Sequence, residues 1–457
     1  MTDEAVRIVW LRDDLRLADH PALSAAAAAG PVVVLYVNEE GPSIRPLGGA
    51  ARWWAANSLD ALDASLSEHG VRVLYRRGDP RELLPPLAAE LGAVEVHVSR
   101  RTGAPRRDID VPVRSALAGA GVGFVEHEGS LIEPLGEIRT GAGEPYSVFT
   151  PYWRRLSAQL EVAPPRSPLP RPARIVAPSG QPDGDDRETW GWRPSRPDWS
   201  TGLAERWTPG ERAAHETLEA FVAEGLESYE QDRDELPVGG SELSPRLRWG
   251  ELSPAQVWHA ARASSAPSSA FLRQLGWREF SYHLVEAFPQ MPTAPWRAEY
   301  AGFPWDWESD EAVEAWQSGE TGVDLVDAAM TELWTSGFMH NRARMVTASY
   351  LTKNLLVHWR RGEEWFWDTL VDADAAVNAV SWQWVAGSGP DAAPYFRVLN
   401  PMRQQERFDP SRRYLHRWLG DRADELSAVD ADMLRAQRRN ALEAYEQMRR
   451  TRDERTD

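Results

Sequence analysis

The run PVVVLYV (Pro31–Val37) follows one proline with six β-branched, aromatic and leucine side chains, with no charged or amide break. Its length and composition are those of a strand, and an apolar run without alternation belongs to a strand covered on both faces. Working outward, an alanine-rich helical stretch (His20–Ala29) and a second apolar run (Val6–Trp10) precede it, and apolar spacing over Gly49–Glu68 predicts a helix after it. The alternation continues with strands at Val71–Tyr75, Val94–Val98 and Val122–Val125 and helices at Pro80–Leu91 and Arg106–Ala120. Strand–helix–strand succession of this kind predicts a doubly wound parallel-sheet α/β domain over residues 1–130. Such sheets take ligands at the carboxyl ends of their strands, yet neither GxGxxG nor GxxxxGK follows any of these strands, which argues against a standard NAD domain or a P-loop.

Beyond this domain the pattern changes. Pro, Gly, Ser and Arg dominate from about Leu160 to Pro209, which reads as a long irregular surface stretch, and residues 131–210 are assigned to an interdomain connector. After Glu211 strand-like runs nearly vanish. Segments such as AVEAWQSGETGVDLVDAAMTELWTSGF (Ala312–Phe338) carry helical spacing with Gly between them, so residues 211–457 are expected to form a mostly α-helical domain.

Composition narrows the function. The chain has 457 residues, 42% hydrophobic and 26% charged, which fits a folded protein of two or three domains. It lacks an apolar stretch of about 20 residues, and its acidic start is unlike a signal peptide, so a cytoplasmic protein with no membrane partner is expected. With no Cys, thiol nucleophiles, disulfides and cysteine-held metals or clusters are excluded, and no metal site is indicated. A net charge of −18 argues against a protein that simply coats nucleic acid. Charge is nevertheless segregated: Leu333–Gly362 carries five cations and no acid, and six arginines lie within Arg397–Arg417. These two basic segments flank a tryptophan-rich one and fit a phosphate-binding rim. The 22 Trp residues equal Phe and Tyr combined, and indoles stack on bases and flavins as well as filling cores.

Several blocks in the helical half decide between these readings. They are FLRQLGWREFSYHL (Phe271–Leu284), ETGVDLVDAAM (Glu320–Met330), GFMHNRARMVTASYLTKNLLVHWR (Gly337–Arg360), DADAAVNAVSWQWVAGSGPDAAPYFRVLNP (Asp372–Pro401) and QQERFD (Gln404–Asp409). Together with the opening VWLRDDLRLADHPAL (Val9–Leu23), they resemble the photolyase/cryptochrome family in the right order over nearly the whole chain. The resemblance implies an α/β antenna-type domain joined to a helical FAD-binding domain that docks UV-damaged DNA, double- or single-stranded, and a monomer is expected. It implies a cyclobutane pyrimidine dimer photolyase, a light-driven carbon–carbon lyase: light excites reduced FAD, an electron passes to a flipped-out dimer, the ring opens and the electron returns. The alternative is a cryptochrome-like blue-light photoreceptor with weak or no repair activity.

Site residues follow from the same resemblance. For FAD they are Tyr229, the pyrophosphate loop Gly240, Ser241, Glu242, Leu243 and Ser244, the Arg344 and Asp372 pair, Asp374, and Asn378 beside flavin N5. Trp382 and Trp359 match an electron chain whose terminal member is Trp305 or, two positions on, Trp307, with the FPW pattern favouring Trp305. Gln274, Trp277, Asn341, Arg342, Met345 and Trp384 match the substrate cavity, and Arg397 and Arg403 are expected phosphate contacts. The absence of histidine at 341 and 345 points to cyclobutane dimers rather than the (6-4) photoproduct. The chain departs from the family pattern at Gln274, usually Glu, at Val323 and Asp324 of TGVD, at Phe338, and at the Ala379–Val380–Ser381 turn before WQW. RRTGAPRRD (Arg100–Asp108) lacks the Tyr and Glu of the usual antenna pattern, so a second chromophore, folate or deazaflavin, is left open.

Overall fold

A computed structural model describes residues 5–103, 106–391, 396–425 and 431–456. Ala104 and Pro105 of the RRTGAPRRD stretch and Ala392–Tyr395 of the Asp372–Pro401 block lie outside the described residues.

The N-terminal half alternates as the sequence dictates: β1 (Val6–Leu11), α1 (Pro21–Ala29), β2 (Val32–Glu39), α2 (Gly49–Ser67), β3 (Val73–Gly78), α3 (Pro80–Glu90), β4 (Ala93–Ser99), α4 (Arg106–Gly119) and β5 (Gly123–His127). All pairings are parallel, in the order β3-β2-β1-β4-β5. Because strand side chains alternate, the sheet sorts its residues into two cores. Ile8, Trp10, Val33, Leu35 and Val96 pack with Leu84, Leu87 and Val113 of α3 and α4, whereas Val9, Leu11, Val34 and Tyr36 pack with Trp54 and Leu59 of α2. Three strands run further than their apolar residues predict, β2 among them through Asn38 and Glu39. β3 continues through Arg76 and Arg77 because its backbone still pairs with Val37 and Asn38 of β2, and β5 continues to His127 opposite Ser99.

Residues 131–210 are more ordered than a bare connector. Tyr152, Leu156 and Leu160 recur at helical spacing and bury one face of a helix, α5 (Phe149–Val162), and two short helical turns follow at Arg187–Trp190 and Thr201–Arg206. The helices that position the site are α6 (Ser269–Ala287), α7 (Asp324–Ser336), α8 (Asn341–Ser349), α9 (Trp359–Thr369), α10 (Ala375–Ala386), α11 (Pro401–Phe408) and α12 (Ala431–Thr456). No helix among the described residues is long and apolar enough to cross a membrane.

The segment Arg12–His20, which leaves β1, is largely buried and locks the two halves together. Leu15 N donates to Trp249 O (3.0 Å) and Arg16 Nη1 to Gly250 O (2.9 Å). Arg248 pairs with Asp13 (2.7 Å) and donates to Ala373 O (2.6 Å). Glu251, fully buried, accepts from Trp54 Nε1, Gly210 N and Arg246. Removing one partner of such a buried pair costs about 3–5 kcal/mol because the other charge is left behind.

Candidate active site

Helices α9 and α10 build the centre of the site from two short spacings. Asn378 and Trp382 are four residues apart on α10 and share a face, as Trp359, Gly362, Glu363 and Phe366 do on α9. Trp382 lies across Gly362, where an added Cβ would sit 2.1 Å from the indole, so only glycine permits this approach. Trp382 also meets Phe366 and Trp316 edge to face at 5.0 and 6.2 Å. Asn378 is buried, and its Nδ2 donates to Glu363 Oε1 (2.8 Å) and to Glu363 O (3.1 Å). Both N–H groups are thereby used, which leaves Oδ1 as an acceptor.

Just ahead of α10, Asp372 Oδ2 accepts from Arg344 Nη2 (2.8 Å) and Ser244 Oγ (2.6 Å), joining α8 and the 240–244 loop at one carboxylate. Its Oδ1 is buried without a partner, and a buried acceptor without a donor calls for one from a bound group. Asp374 caps α10, accepting from Ala376 N and Val377 N (2.9 Å each), and also accepts from Tyr282 Oη. Burial, then Asp374, raises the Tyr282 phenol well above its ordinary value. Tyr229 is half-buried against Phe221 and Phe271, and burial raises it as well.

The 240–244 loop differs in detail from a simple capped helix. The helix it opens, Ser244–Arg248, has no side-chain N-cap; Ser241 Oγ instead accepts from Leu243 N (3.4 Å), Glu242 pairs with Arg206 (2.8 Å) and Leu243 is core. Open space lies beside Gly240. An unpartnered buried acceptor, a free amide oxygen and an open loop of small residues fit a large ligand with ring N–H donors and a diphosphate, as FAD has.

The tryptophan series is only partly contiguous. Trp359 is fully buried on the turn preceding Gly362, and His358 beside it stacks at 5.6 Å. His358 then meets both terminal candidates: Trp305 edge to face at 5.3 Å and Trp307 stacked at 3.8 Å. Trp305 is half-buried against Phe303, while Trp307 is 55% exposed. Burial, then Arg360, pushes the His358 imidazole down to about 4, so it is a neutral ring at pH 7.

Of the substrate residues, Met345, Trp384 and Arg397 line one cleft together with Tyr300, Lys353 and Phe396. Lys353 is buried, donating from Nζ to Arg397 O (2.5 Å) under the Phe396 ring, and burial, then Arg397, lowers it to about 7. Gln274 and Trp277 sit one turn apart on α6. Trp277 stacks on Phe149 of α5 at 3.6 Å, and Gln274 Nε2 donates to Ala270 O (3.4 Å), leaving Oε1 as its acceptor. Asn341 is exposed at the start of α8, as is Arg403 on α11. Arg342, assigned to the substrate cavity, pairs with Asp234 (2.7 Å) over the Phe408 ring.

The Ala379–Val380–Ser381 turn is not a turn. α10 runs unbroken from Ala375 to Ala386, and Ala, Val and Ser all carry far less helix penalty than a proline would. Val380 packs with the α6 core and Ser381 faces outward. The TGVD departure is taken up locally, Val323 being buried and Asp324 paired with Arg412 (3.3 Å), and Phe338 lies under Arg344. At the switch point between β1 and β4, Arg12 pairs with Asp110 and Arg101 with Glu39, both guanidiniums stacking on Trp10. The chain's own side chains fill that crevice. Sequence reading missed Glu363, Arg45, His358 and Tyr282. Glu363 alone carried a signal, an acid four residues after Trp359 on a predicted helix.

Residues 7–173 match the family model described as DNA photolyase, and residues 271–454 match that described as the FAD binding domain of DNA photolyase. A deoxyribodipyrimidine photo-lyase of Agrobacterium fabrum is 42% identical over 90% of this chain and 86% of its own, and one of Thermus thermophilus is 39% identical over 90% and 91%. Cryptochrome-1 of Arabidopsis thaliana is 33% identical over 93% of this chain and 64% of its own. Among solved structures, a bacterial class III photolyase from Agrobacterium tumefaciens superposes with a TM-score of 0.92 at 38% identity, covering 98% of this chain and 99% of that one. The sheet, the buried acceptors around α10 and these matches along both halves agree, and the chain belongs to the DNA photolyase family, with an FAD-binding helical domain.

Proposed function

We propose that this chain repairs DNA by splitting cyclobutane pyrimidine dimers in blue light, with FAD held among α6, α8, α9, α10 and the 240–244 loop. The observation that carries this reading is the fixed Asn378 amide. Its N–H groups are consumed by Glu363, so its oxygen would receive the N5 hydrogen of the fully reduced flavin, the form repair requires. Reduced FAD, when bound, supplies the electron on absorbing light. Asp372 Oδ1 would accept from a ring N–H of the flavin, Arg344 holds that carboxylate in place, and the small residues of the loop leave room for the diphosphate.

Trp382 and Trp359 relay electrons inward to keep the flavin reduced. His358 bridges Trp359 to the surface, and the exposure of Trp307 favours it over Trp305 as the ring that meets solvent. Trp384 and Trp277 wall the cavity and exclude water from the dimer. Gln274 offers its oxygen to a thymine N–H, as the family's Glu does. Without the charge this contact is weaker by about 1 kcal/mol.

Arg397 and Arg403 meet phosphates at the rim. Arg403→Ala is expected to weaken binding to damaged and undamaged DNA alike and to reduce the slope of log affinity against log salt by about 1, measured by titrating labelled duplex at several salt concentrations. The function itself is tested by following base absorbance of a thymine-dimer oligonucleotide with prereduced protein in blue light and in darkness. Recovery in light alone is expected. Absence of recovery with reduced FAD bound would move the chain to the photoreceptor branch of the family.

A further inference from the structure

We propose that Arg45, from the α/β half, sets the orientation of the Asn378 amide through Glu363 and thereby favours reduced over oxidised FAD. The inference rests on the reading above only in taking FAD as the group beside Asn378.

Arg45 lies on the loop between β2 and α2, 318 residues from Glu363. Its guanidinium makes a two-pronged contact with the Glu363 carboxylate, Nη1 to Oε1 at 2.8 Å and Nη2 to Oε2 at 3.0 Å. The Glu363 side chain is 1% exposed, and among the described residues Arg45 is the one cation paired with it. A buried carboxylate needs such a counter-charge, and the planar fork of Arg suits it better than a point charge. The loop is held firmly in place for this task. Arg45 stacks on Trp367 (4.2 Å), Trp367 Nε1 donates to Pro46 O (2.8 Å) and Gly49 N donates to Asp368 Oδ1 (2.7 Å).

The chemistry follows from donor and acceptor counts. A carboxylate only accepts, so Asn378 must turn its NH2 toward Glu363 and its oxygen away. Flavin N5 bears a hydrogen when fully reduced and a lone pair when oxidised, so an amide fixed as an acceptor stabilises the reduced form. With the counter-charge gone, burial favours the neutral acid, whose O–H can donate to the amide oxygen, so the carboxyl group no longer dictates which end of the amide it meets. Arg45 touches neither FAD nor DNA in this account; it is a positioning residue.

The test uses FAD-loaded protein without DNA and reads the flavin midpoint potential by equilibration with redox dyes. Arg45→Met keeps the aliphatic packing on Trp367 and removes the charge. At a fixed potential the ratio of reduced to oxidised FAD is expected to fall about tenfold, equivalent to about 30 mV for a two-electron couple. Arg45→Gln, a second neutral variant, should give the same shift, and Arg45→Lys should restore most of it. Glu363→Gln should lower the potential by itself, and adding Arg45→Met should change nothing further, because both act on one amide. An unchanged potential in both neutral variants would overturn the proposal, as would additive shifts in the double variant. A fall in melting temperature without a shift in potential would reduce Arg45 to a structural tie. Thymine-dimer repair by the unsubstituted protein, assayed in parallel, separates the two readings: a shift without repair keeps the role of Arg45 and discards repair, and repair without a shift does the reverse.

Discussion

With Trp382 replaced by Phe, light-driven reduction of oxidised FAD is expected to slow by about two orders of magnitude or more, while chemically prereduced protein keeps most of its repair. Phenyl is far harder to oxidise than indole, and raising the barrier to the first hop by only about 3 kcal/mol already means a hundredfold. The site geometry isolates this effect. Trp382 and Asn378 share one face of α10, but Asn378 is held by Glu363 rather than by the indole, so the amide beside the flavin stays in place. The smaller ring leaves a gap over Gly362 and beside Phe366, a loss of about 1–3 kcal/mol of stability. Flash photolysis of the oxidised protein and repair by the prereduced protein, measured on one preparation, check the result. Equal loss of both activities would remove Trp382 from the relay.

Gly250→Ala is expected to destabilise the protein by about 3–5 kcal/mol, more than almost any other single methyl. Gly250 has φ +61°, and an added Cβ would lie 2.2 Å from Asp13 O and 2.6 Å from Asp14 Cα. Both obstacles are backbone, so no side chain can swing aside. The collision falls where Leu15 and Arg16 bond to Trp249 and Gly250, and Arg248 beside it ties Asp13 to the start of α10. Loss of the interlock should therefore release FAD as well as lower the denaturant midpoint. Retention of FAD at an unchanged midpoint would show that the β1 segment can yield.

The sheet was legible because its strands are short, apolar and separated by well-marked helices. Only the strand ends were misjudged, where Arg76, Arg77 and Glu126 carry backbone pairing behind polar side chains. Within the site, what was legible lay inside single helices. Asn378 with Trp382, and Asn341 with Arg344 and Met345, follow from helical spacing once the motifs are seen. Contacts across long sequence distance were not legible. Nothing near Arg45 announces Glu363, nothing near Arg342 announces Asp234, and Phe149 gave no sign that it would stack on Trp277. His358 carries no mark in the sequence beyond standing before a tryptophan, yet its ring touches three indoles.

Lys353 is the sole lysine of the chain, and it is closed off beneath Phe396 and Arg397 in the wall of the cleft that Met345 and Trp384 share. To an amine-selective acylating reagent the folded protein therefore offers its α-amino group and little else. Lys353 is expected to react only when its cover at Phe396 and Arg397 opens, so its labelling rate should be the reagent's intrinsic rate multiplied by the population of that opening. Mass spectrometry of one peptide then times the breathing of the cleft wall. If DNA seats on that wall, bound duplex should slow the clock, and an abasic or undamaged strand should slow it less than one carrying a dimer.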